Sequence, residues 1–157
     1  MNTARTPIQR LASRMATRPA ELAELAGSRD AEVRRRVAYR PTCPVAALRA
    51  LARDPDPWVR GAVGGNPSSP ADLLSVLARD PDDRARGAVA GNPKVPDTLL
   101  QELAADPRRW VRANAAINPV CPPSLQATLA ADPDSELVRL ASRGTMRRLD
   151  RARWEPT

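Results

Sequence analysis

The chain has 157 residues, and its 25 lysines and arginines outnumber its 18 aspartates and glutamates, which gives a formal net charge of +7. The absence of histidine excludes a histidine-based catalytic triad and a histidine metal site, and two cysteines are too few for a tetrahedral zinc or iron–sulfur site. No stretch approaches the ~18 apolar residues of a membrane span, so we expect a cytoplasmic protein with no membrane contact, metal or cofactor.

The N-terminal segment predicts a helix that covers one end of the fold. Thr6 suits the N-cap and Pro7 the first helical position, because proline lacks only an N–H that has no intrahelical partner there. Ile8 and Leu11 then share one face of the helix. We therefore expect an N-terminal cap helix over residues 1–17.

A 26-residue repeat fills the body of the chain. Twelve of the 17 prolines lie in three columns of four, and successive members of a column are 26 residues apart: Pro41, Pro67, Pro93, Pro119; Pro44, Pro70, Pro96, Pro122; and Pro55, Pro81, Pro107, Pro133. A fixed period of this length is typical of a solenoid, in which each unit buries its apolar face only against its neighbours. We expect a single all-α domain, with about five repeats over residues 18–143 and a C-terminal cap over residues 144–157.

Each unit predicts two short helices. The middle proline column begins the first helix, a serine such as Ser69 caps it, and leucines follow on one face. The aspartate of each Asp-Pro pair ends that helix and caps the second one. Three sets of residues should be buried: Leu51, Leu77, Leu103, Leu129; Val37, Val63, Val89, Ala115; and Asn66, Asn92, Asn118, whose side chains should bond to turn backbone.

The two cysteines have a structural explanation. Cys43 and Cys121 are three periods apart, so they occupy the same repeat position, which Ser69 and Val95 fill between them. Stacked helical layers about 10 Å apart place the two thiols far beyond disulfide reach. We expect both to be reduced small residues that pack before a helix-starting proline.

At this point the chain resembles a known family. The pattern of Asn-Pro, Pro, Leu, Leu-Ala, Asp-Pro, Val-Arg and Val-Ala, which recurs within residues 66–119, resembles the variant leucine-rich repeat, a bacterial two-helix solenoid similar in style to HEAT repeats. The resemblance implies α-helices that alternate with short α- or 3₁₀-helices in a right-handed superhelix. It implies a binding role and no particular chemistry.

An arginine column invites two interpretations. Its members are Arg34, Arg60, Arg86 and Arg112, and a row of arginines is typical of a phosphate-binding stripe. Aspartates precede the first three arginines by four residues, however, which favours ion pairs that hold the units together. In the fourth unit Arg108 occupies the aspartate position, so this pattern leaves Arg112 without such a partner.

The fourth unit is where departures from the repeat concentrate. Arg108, Arg109, Trp110, Arg112 and Asn114 lie within seven residues, on the second helix. Arginines beside a tryptophan suit a carboxylate, a phosphate or an acidic peptide. The alternative is a tryptophan that lies on a thin repeat surface among solvated arginines.

Two further residues belong with this predicted site. Trp58 lies two periods before Trp110 and Arg84 lies one period before it, so all three should share a face.

Charge is uneven along the chain. Residues 1–40 have a net charge of +5, residues 41–132 are neutral, and residues 133–157 have +2. A duplex-binding groove would be basic along its whole length, so this distribution disfavours a dedicated DNA clamp. It still allows anion contacts at Arg34, Arg35 and Arg36.

The leading functional hypothesis is a non-enzymatic binding or scaffold module that recognises a protein or peptide with acidic groups. The alternative is a nucleic-acid-binding HEAT-like solenoid that contacts phosphates through arginines. An enzyme ranks third, because no carboxylate stands apart from the repeat columns.

Overall fold

The computed structural model describes residues 18–132, and the predicted cap helices over residues 1–17 and 144–157 lie outside the described residues. Within residues 18–132 the chain forms short helices and no strand, which confirms the predicted all-α fold. The helices are α1 (Pro19–Leu25), α2 (Ala31–Ala38), α3 (Val45–Leu51), α4 (Pro57–Gly64), α5 (Ala71–Leu77), α6 (Asp83–Ala90), α7 (Asp97–Ala104), α8 (Arg109–Ile117) and α9 (Pro123–Ala130). None of them is long and apolar enough to cross a membrane.

The helices form two layers. The odd-numbered helices are the first helices of their units and form the first-helix layer, while α2, α4, α6 and α8 form the second-helix layer. Helices of the second layer pack closely on one another from unit to unit, whereas those of the first layer are farther apart. Glycines allow this approach: a Cβ atom on Gly64 would lie 3.1 Å from the backbone oxygen of Ala85 in the next unit. The result is a solenoid in which units contact their neighbours.

The helix starts differ in detail from the predicted ones. The second helices are capped by Asp30, Asp56 and Asp82, whose side chains accept a hydrogen bond from the N–H two residues later at 2.8–2.9 Å. Asp56 and Asp82 follow the Asp-Pro aspartates Asp54 and Asp80 by two residues, so the predicted cap was wrong. In the first helices α3, α5, α7 and α9 the proline is the N-cap and not the first helical residue, so each helix begins one residue later than predicted. Ser69 does not cap α5, because its hydroxyl donates to the oxygen of Val63 at 2.6 Å.

The predicted core columns are confirmed. The leucine column Leu51, Leu77, Leu103 and Leu129 and the column Val37, Val63, Val89 and Ala115 are all buried. A further column contains Leu22, Leu48, Leu74 and Leu100, all fully buried, and ends at Gln126. The Gln126 amide donates to the oxygen of Cys121 at 3.1 Å, but its Oε1 atom has no hydrogen-bond partner within the described residues.

Asparagine side chains join successive units, as predicted. The Asn92 amide donates to the oxygen of Gly64 at 2.7 Å and to that of Asn66 at 2.9 Å, both in the preceding unit. Its Oδ1 atom accepts from the N–H of Lys94 at 2.8 Å. Asn66 and Asn118 make the equivalent bonds. These bonds satisfy turn groups that would otherwise be buried without partners.

The cysteines agree with their structural interpretation. Cys43 and Cys121 are free thiols and are buried. Burial raises the pKa of both thiols to about 11, so they stay protonated at neutral pH.

Candidate functional site

All four arginines of the column form ion pairs between units. Each guanidinium faces the Asp-Pro aspartate 20 residues later, with Nε–Oδ2 distances of 2.6–2.7 Å in the pairs Arg34–Asp54, Arg60–Asp80, Arg86–Asp106 and Arg112–Asp132. The predicted pairing with the aspartate four residues earlier was wrong, because that aspartate caps the helix. The arginines therefore hold the units together as inferred, but they do so through the Asp-Pro aspartate 20 residues later.

Each arginine of the column also binds the loop before its own helix, as Arg60 shows. Arg60 Nη1 donates to the backbone oxygens of Asp54 at 2.8 Å and of Pro55 at 3.1 Å. Burial raises the pKa of Asp80, but hydrogen bonds from Arg60 and from the N–H of Asp82 outweigh this, and the pKa lies below its ordinary value. The pair therefore stays ionised throughout the neutral range.

Arg112 and the N-terminal arginines of the predicted site have carboxylate partners in the structure. The expectation that Arg112 lacks a partner was wrong, because its guanidinium binds Asp132 and the residue is 7% exposed. Arg35 and Arg36 both lie 2.7 Å from carboxylate oxygens of Glu32. Because Arg34 binds Asp54, all three predicted anion-binding arginines already face a carboxylate.

Three aromatic side chains are exposed on the second-helix layer. Tyr39, Trp58 and Trp110 have 55%, 52% and 49% of their surface accessible. The Arg84 guanidinium carbon lies 4.8 Å from the centre of the Trp58 ring, which is a cation–π contact. The predicted common face of Trp58, Arg84 and Trp110 is confirmed, since all three line one depression.

This depression, which we call the aromatic groove, has a volume of about 650 Å³. Its floor is made of small residues of α4 and α6 and the turn that follows α6: Gly61, Gly87, Ala88 and Gly91. Large side chains of the neighbouring helices surround that floor, with Tyr39 contributed by the first unit and Trp110 and Asn114 by the fourth. The groove therefore lies where small residues of the two middle units leave space between Tyr39 of the first unit and Trp110 of the fourth.

Trp110 lies across the adjacent helix. A Cβ atom built on Gly87 would be 2.5 Å from Trp110 Nε1 and 3.2 Å from Asn114 Nδ2, so glycine is needed for this indole position. The two nitrogens, which we call the donor pair, thus both lie against Gly87 on the groove floor. Neither has a hydrogen-bond acceptor within residues 18–132. An indole N–H and an amide N–H without acceptors are suited to a carbonyl or carboxylate oxygen.

A second cavity, of about 490 Å³, adjoins the groove at Trp110 and contains Arg108 and Arg109. Arg108 Nε lies 3.5 Å from Asp83 Oδ2, and its side chain is 69% exposed. Arg109 is exposed and makes no ion pair within the described part of the chain. The structure thus brings Arg108, Arg109, Trp110 and Asn114 together at one end of the groove.

Sequence reasoning missed Tyr39, Gly87 and Asp83. A signal for Tyr39 is present, because glycine occupies its position in the next two units, Gly65 and Gly91. Gly87 carries no comparable signal, since it matches Gly61 of the preceding unit. Its importance comes from the neighbouring tryptophan and appears only in three dimensions.

The fold and the repeated interunit bonds define an α-helical solenoid built of two-helix units. The family model described as leucine rich repeat variant matches residues 31–56, which is one full period. A solved structure described as "a leucine-rich repeat variant with a novel repetitive protein structural motif" matches with a TM-score of 0.62 and 31% identity over 88% of this chain. Both matches confirm the resemblance to the leucine-rich repeat variant family that the sequence predicted, one repeat by its sequence and the solenoid by its fold.

The chain covers 54% of that solved structure, which is about half of its length. A search of curated proteins found no match.

Proposed function

We propose that this solenoid is a non-enzymatic binding module that holds a protein or peptide segment in the aromatic groove. The proposal rests on one observation: three half-exposed aromatic rings and an unengaged donor pair surround a floor of glycines. Exposed tryptophan and tyrosine side chains with adjacent polar groups are characteristic of interaction sites. A stack of helical units provides the extended surface that such recognition requires.

The charges favour a polypeptide over a nucleic acid. The arginine column is occupied by its aspartate partners, so it offers no row of free guanidinium groups to phosphates. Around the groove, Asp82 and Asp83 offset two of the arginines, since Arg84 lies 3.1 Å from Asp82 and Arg108 lies 3.5 Å from Asp83. A mixed rim of this kind suits a polypeptide with few charges.

One contact supports the nucleic-acid alternative. The stack of Arg84 on Trp58 resembles the platforms on which proteins stack the bases of single strands. This alternative predicts binding to an unstructured single strand that weakens steeply with added salt. The peptide hypothesis predicts a weak dependence on salt.

The test is selection from a random peptide library with three proteins: the wild type, Trp110→Arg and Val76→Ala. Arginine occupies the position of Trp110 in the preceding unit, so the first variant retains a side chain that the repeat accommodates. Val76 is exposed on α5, in the first-helix layer, and serves as the matched control. Selected peptides should bind Trp110→Arg at least about tenfold more weakly than the other two proteins.

The contrary result is equally clear. If no selected peptide depends on Trp110, and a labelled single strand binds in a Trp110-dependent and salt-sensitive manner, the nucleic-acid alternative replaces the peptide function. If neither ligand depends on Trp110, the groove is not the binding site.

A further inference from the structure

We infer that the occupant of the aromatic groove is an extended, proline-containing peptide with an acidic residue beside Arg109. This inference rests on the proposed peptide-binding function and specifies the partner's chemistry. Three independent features carry it: the donor pair, the aromatic walls above a glycine floor, and the charge at the Trp110 end.

The donor pair requires an acceptor-rich ligand. Trp110 Nε1 and Asn114 Nδ2 both lie within 3.2 Å of the position of a Cβ on Gly87. A ligand that covers them without an acceptor would leave two donors buried and unpaired, which weakens binding. The main-chain carbonyl groups of an extended peptide point outward and meet this requirement.

The groove walls favour proline over residues that carry an N–H. The rings of Tyr39, Trp58 and Trp110 are apolar faces, and the backbone groups of the floor are engaged in helices. An ordinary peptide would place main-chain N–H groups against surfaces that offer few acceptors. A polyproline II segment has fewer such donors, is already extended, and is recognised by grooves lined with tryptophan and tyrosine.

The floor gives the ligand room between the rings. A Cβ atom on Gly91 would meet nothing nearer than the backbone oxygens of Gly87 and Ala88 at 3.7–3.8 Å, so a proline ring can reach the backbone at this point of the floor. A larger residue at Gly91 would occupy the space that the ligand needs.

The guanidinium of Arg109, which is unpaired within the described residues, favours a carboxylate on the ligand. At the Trp110 end, Arg108 has Asp83 at 3.5 Å, whereas Arg109 has no carboxylate partner within residues 18–132. At the Tyr39 end, Arg35 and Arg36 share Glu32. A carboxylate on the ligand is therefore favoured at the Trp110 end, and a lysine there is disfavoured.

The experiment uses fluorescence anisotropy with three labelled peptides and the full chain. The first peptide alternates proline and leucine and ends in two aspartates, the second replaces every proline by alanine, and the third replaces both aspartates by lysines. The variants are Asn114→Ala and Arg109→Ala, because alanine occupies both positions in other units, at Ala88 and at Ala31. Val76→Ala is again the control.

We expect the wild type and Val76→Ala to bind the first peptide most tightly. Asn114→Ala and the all-alanine peptide should each weaken binding by about tenfold. Arg109→Ala should weaken binding of the aspartate peptide and should not weaken binding of the lysine peptide.

Four results would overturn the inference. In the first, the proline and alanine peptides bind equally. In the second, Arg109→Ala binds both charged peptides as the wild type does. In the third, library selection yields Trp110-dependent peptides that lack proline and acidic residues, in which case the proposed function survives and the ligand assignment fails. In the fourth, sedimentation shows Trp110-dependent self-association, so that the groove holds a second copy of the chain.

Discussion

Adjacent glycines at the end of α4 should respond in opposite ways to substitution by alanine. A Cβ on Gly64 would lie 3.0 Å from Val89 Cγ2 and 3.1 Å from the backbone oxygen of Ala85. A Cβ on Gly65 would have nothing nearer than 3.7 Å, which is ordinary van der Waals contact. The two residues are neighbours in sequence, yet only Gly64 lies in the contact between α4 and α6.

The magnitudes follow from two opposing effects. Alanine is favoured over glycine in a helix by about 1 kcal/mol, whereas excess volume in a packed interface costs about 1–3 kcal/mol. The oxygen of Ala85 belongs to helix backbone, so relief requires a shift of α6 and the cost lies toward the upper end. We expect Gly64→Ala to lower the free energy of unfolding by about 1–2 kcal/mol. Gly65 has helical dihedral angles (φ −81°, ψ −7°), so Gly65→Ala should raise the free energy of unfolding by about 0.4–1 kcal/mol.

The measurement is urea unfolding followed by far-ultraviolet circular dichroism. The two variants should move the midpoint in opposite directions, and comparable slopes would show that the units still unfold together. If Gly64→Ala proved as stable as Gly65→Ala, the close packing of the second-helix layer would not depend on glycine, and the reasoning would be refuted.

Other perturbations test the site, the ion pairs and the core. Gly87→Ala should displace the Trp110 ring, change its fluorescence and weaken peptide binding with little loss of stability; unchanged fluorescence would contradict the ring position. Asp106→Ala should destabilise the fold by about 3 kcal/mol in urea unfolding, since it leaves a largely buried arginine unpaired. Gln126→Leu should raise the urea midpoint, because it removes a buried unpaired oxygen; a lower midpoint would show that this oxygen is satisfied. In a pH titration, stability should be constant between about pH 5 and 8, because there is no histidine, and should fall below about pH 4. Lowered carboxyl pKa values such as that of Asp80 mean that the unfolded state takes up protons first, so a steep loss above pH 5 would contradict the ion-pair assignment.

The sequence predicted those features in which each unit repeats the same local chemistry. Leu77, Val89 and Asn92 were placed correctly because their columns recur at a fixed period and report one environment each. The partner of Arg86 was not predicted correctly, because each unit contains two aspartates and the sequence alone does not distinguish which of them binds the arginine. Asp82 is bound to the helix N-terminus, and this leaves Asp106, in the next unit, for the guanidinium.

The candidate site was half predicted for a similar reason. Departures from the repeat identified Trp110 and Asn114, and their exposed face follows from helical geometry. The groove itself depends on what lies beside them, namely Gly87 and the gap that extends toward Tyr39. A glycine that recurs at its repeat position does not indicate an open space beside it, so the groove could be recognised only in the structure.

The interunit ion pairs also determine how such a chain can change its length. Each arginine of the column binds an aspartate 20 residues ahead, and the asparagine bonds reach back 26 and 28 residues. Each joint between units, by which we mean these bonds, therefore spans a fixed number of residues. An insertion within a span breaks a joint, whereas the gain or loss of a whole unit leaves each remaining joint intact. In the present chain two glycine-bearing units separate Tyr39 from Trp110, and their number sets the distance between the groove walls. Duplication of one such unit would therefore lengthen the binding surface by one step without altering the chemistry of either end.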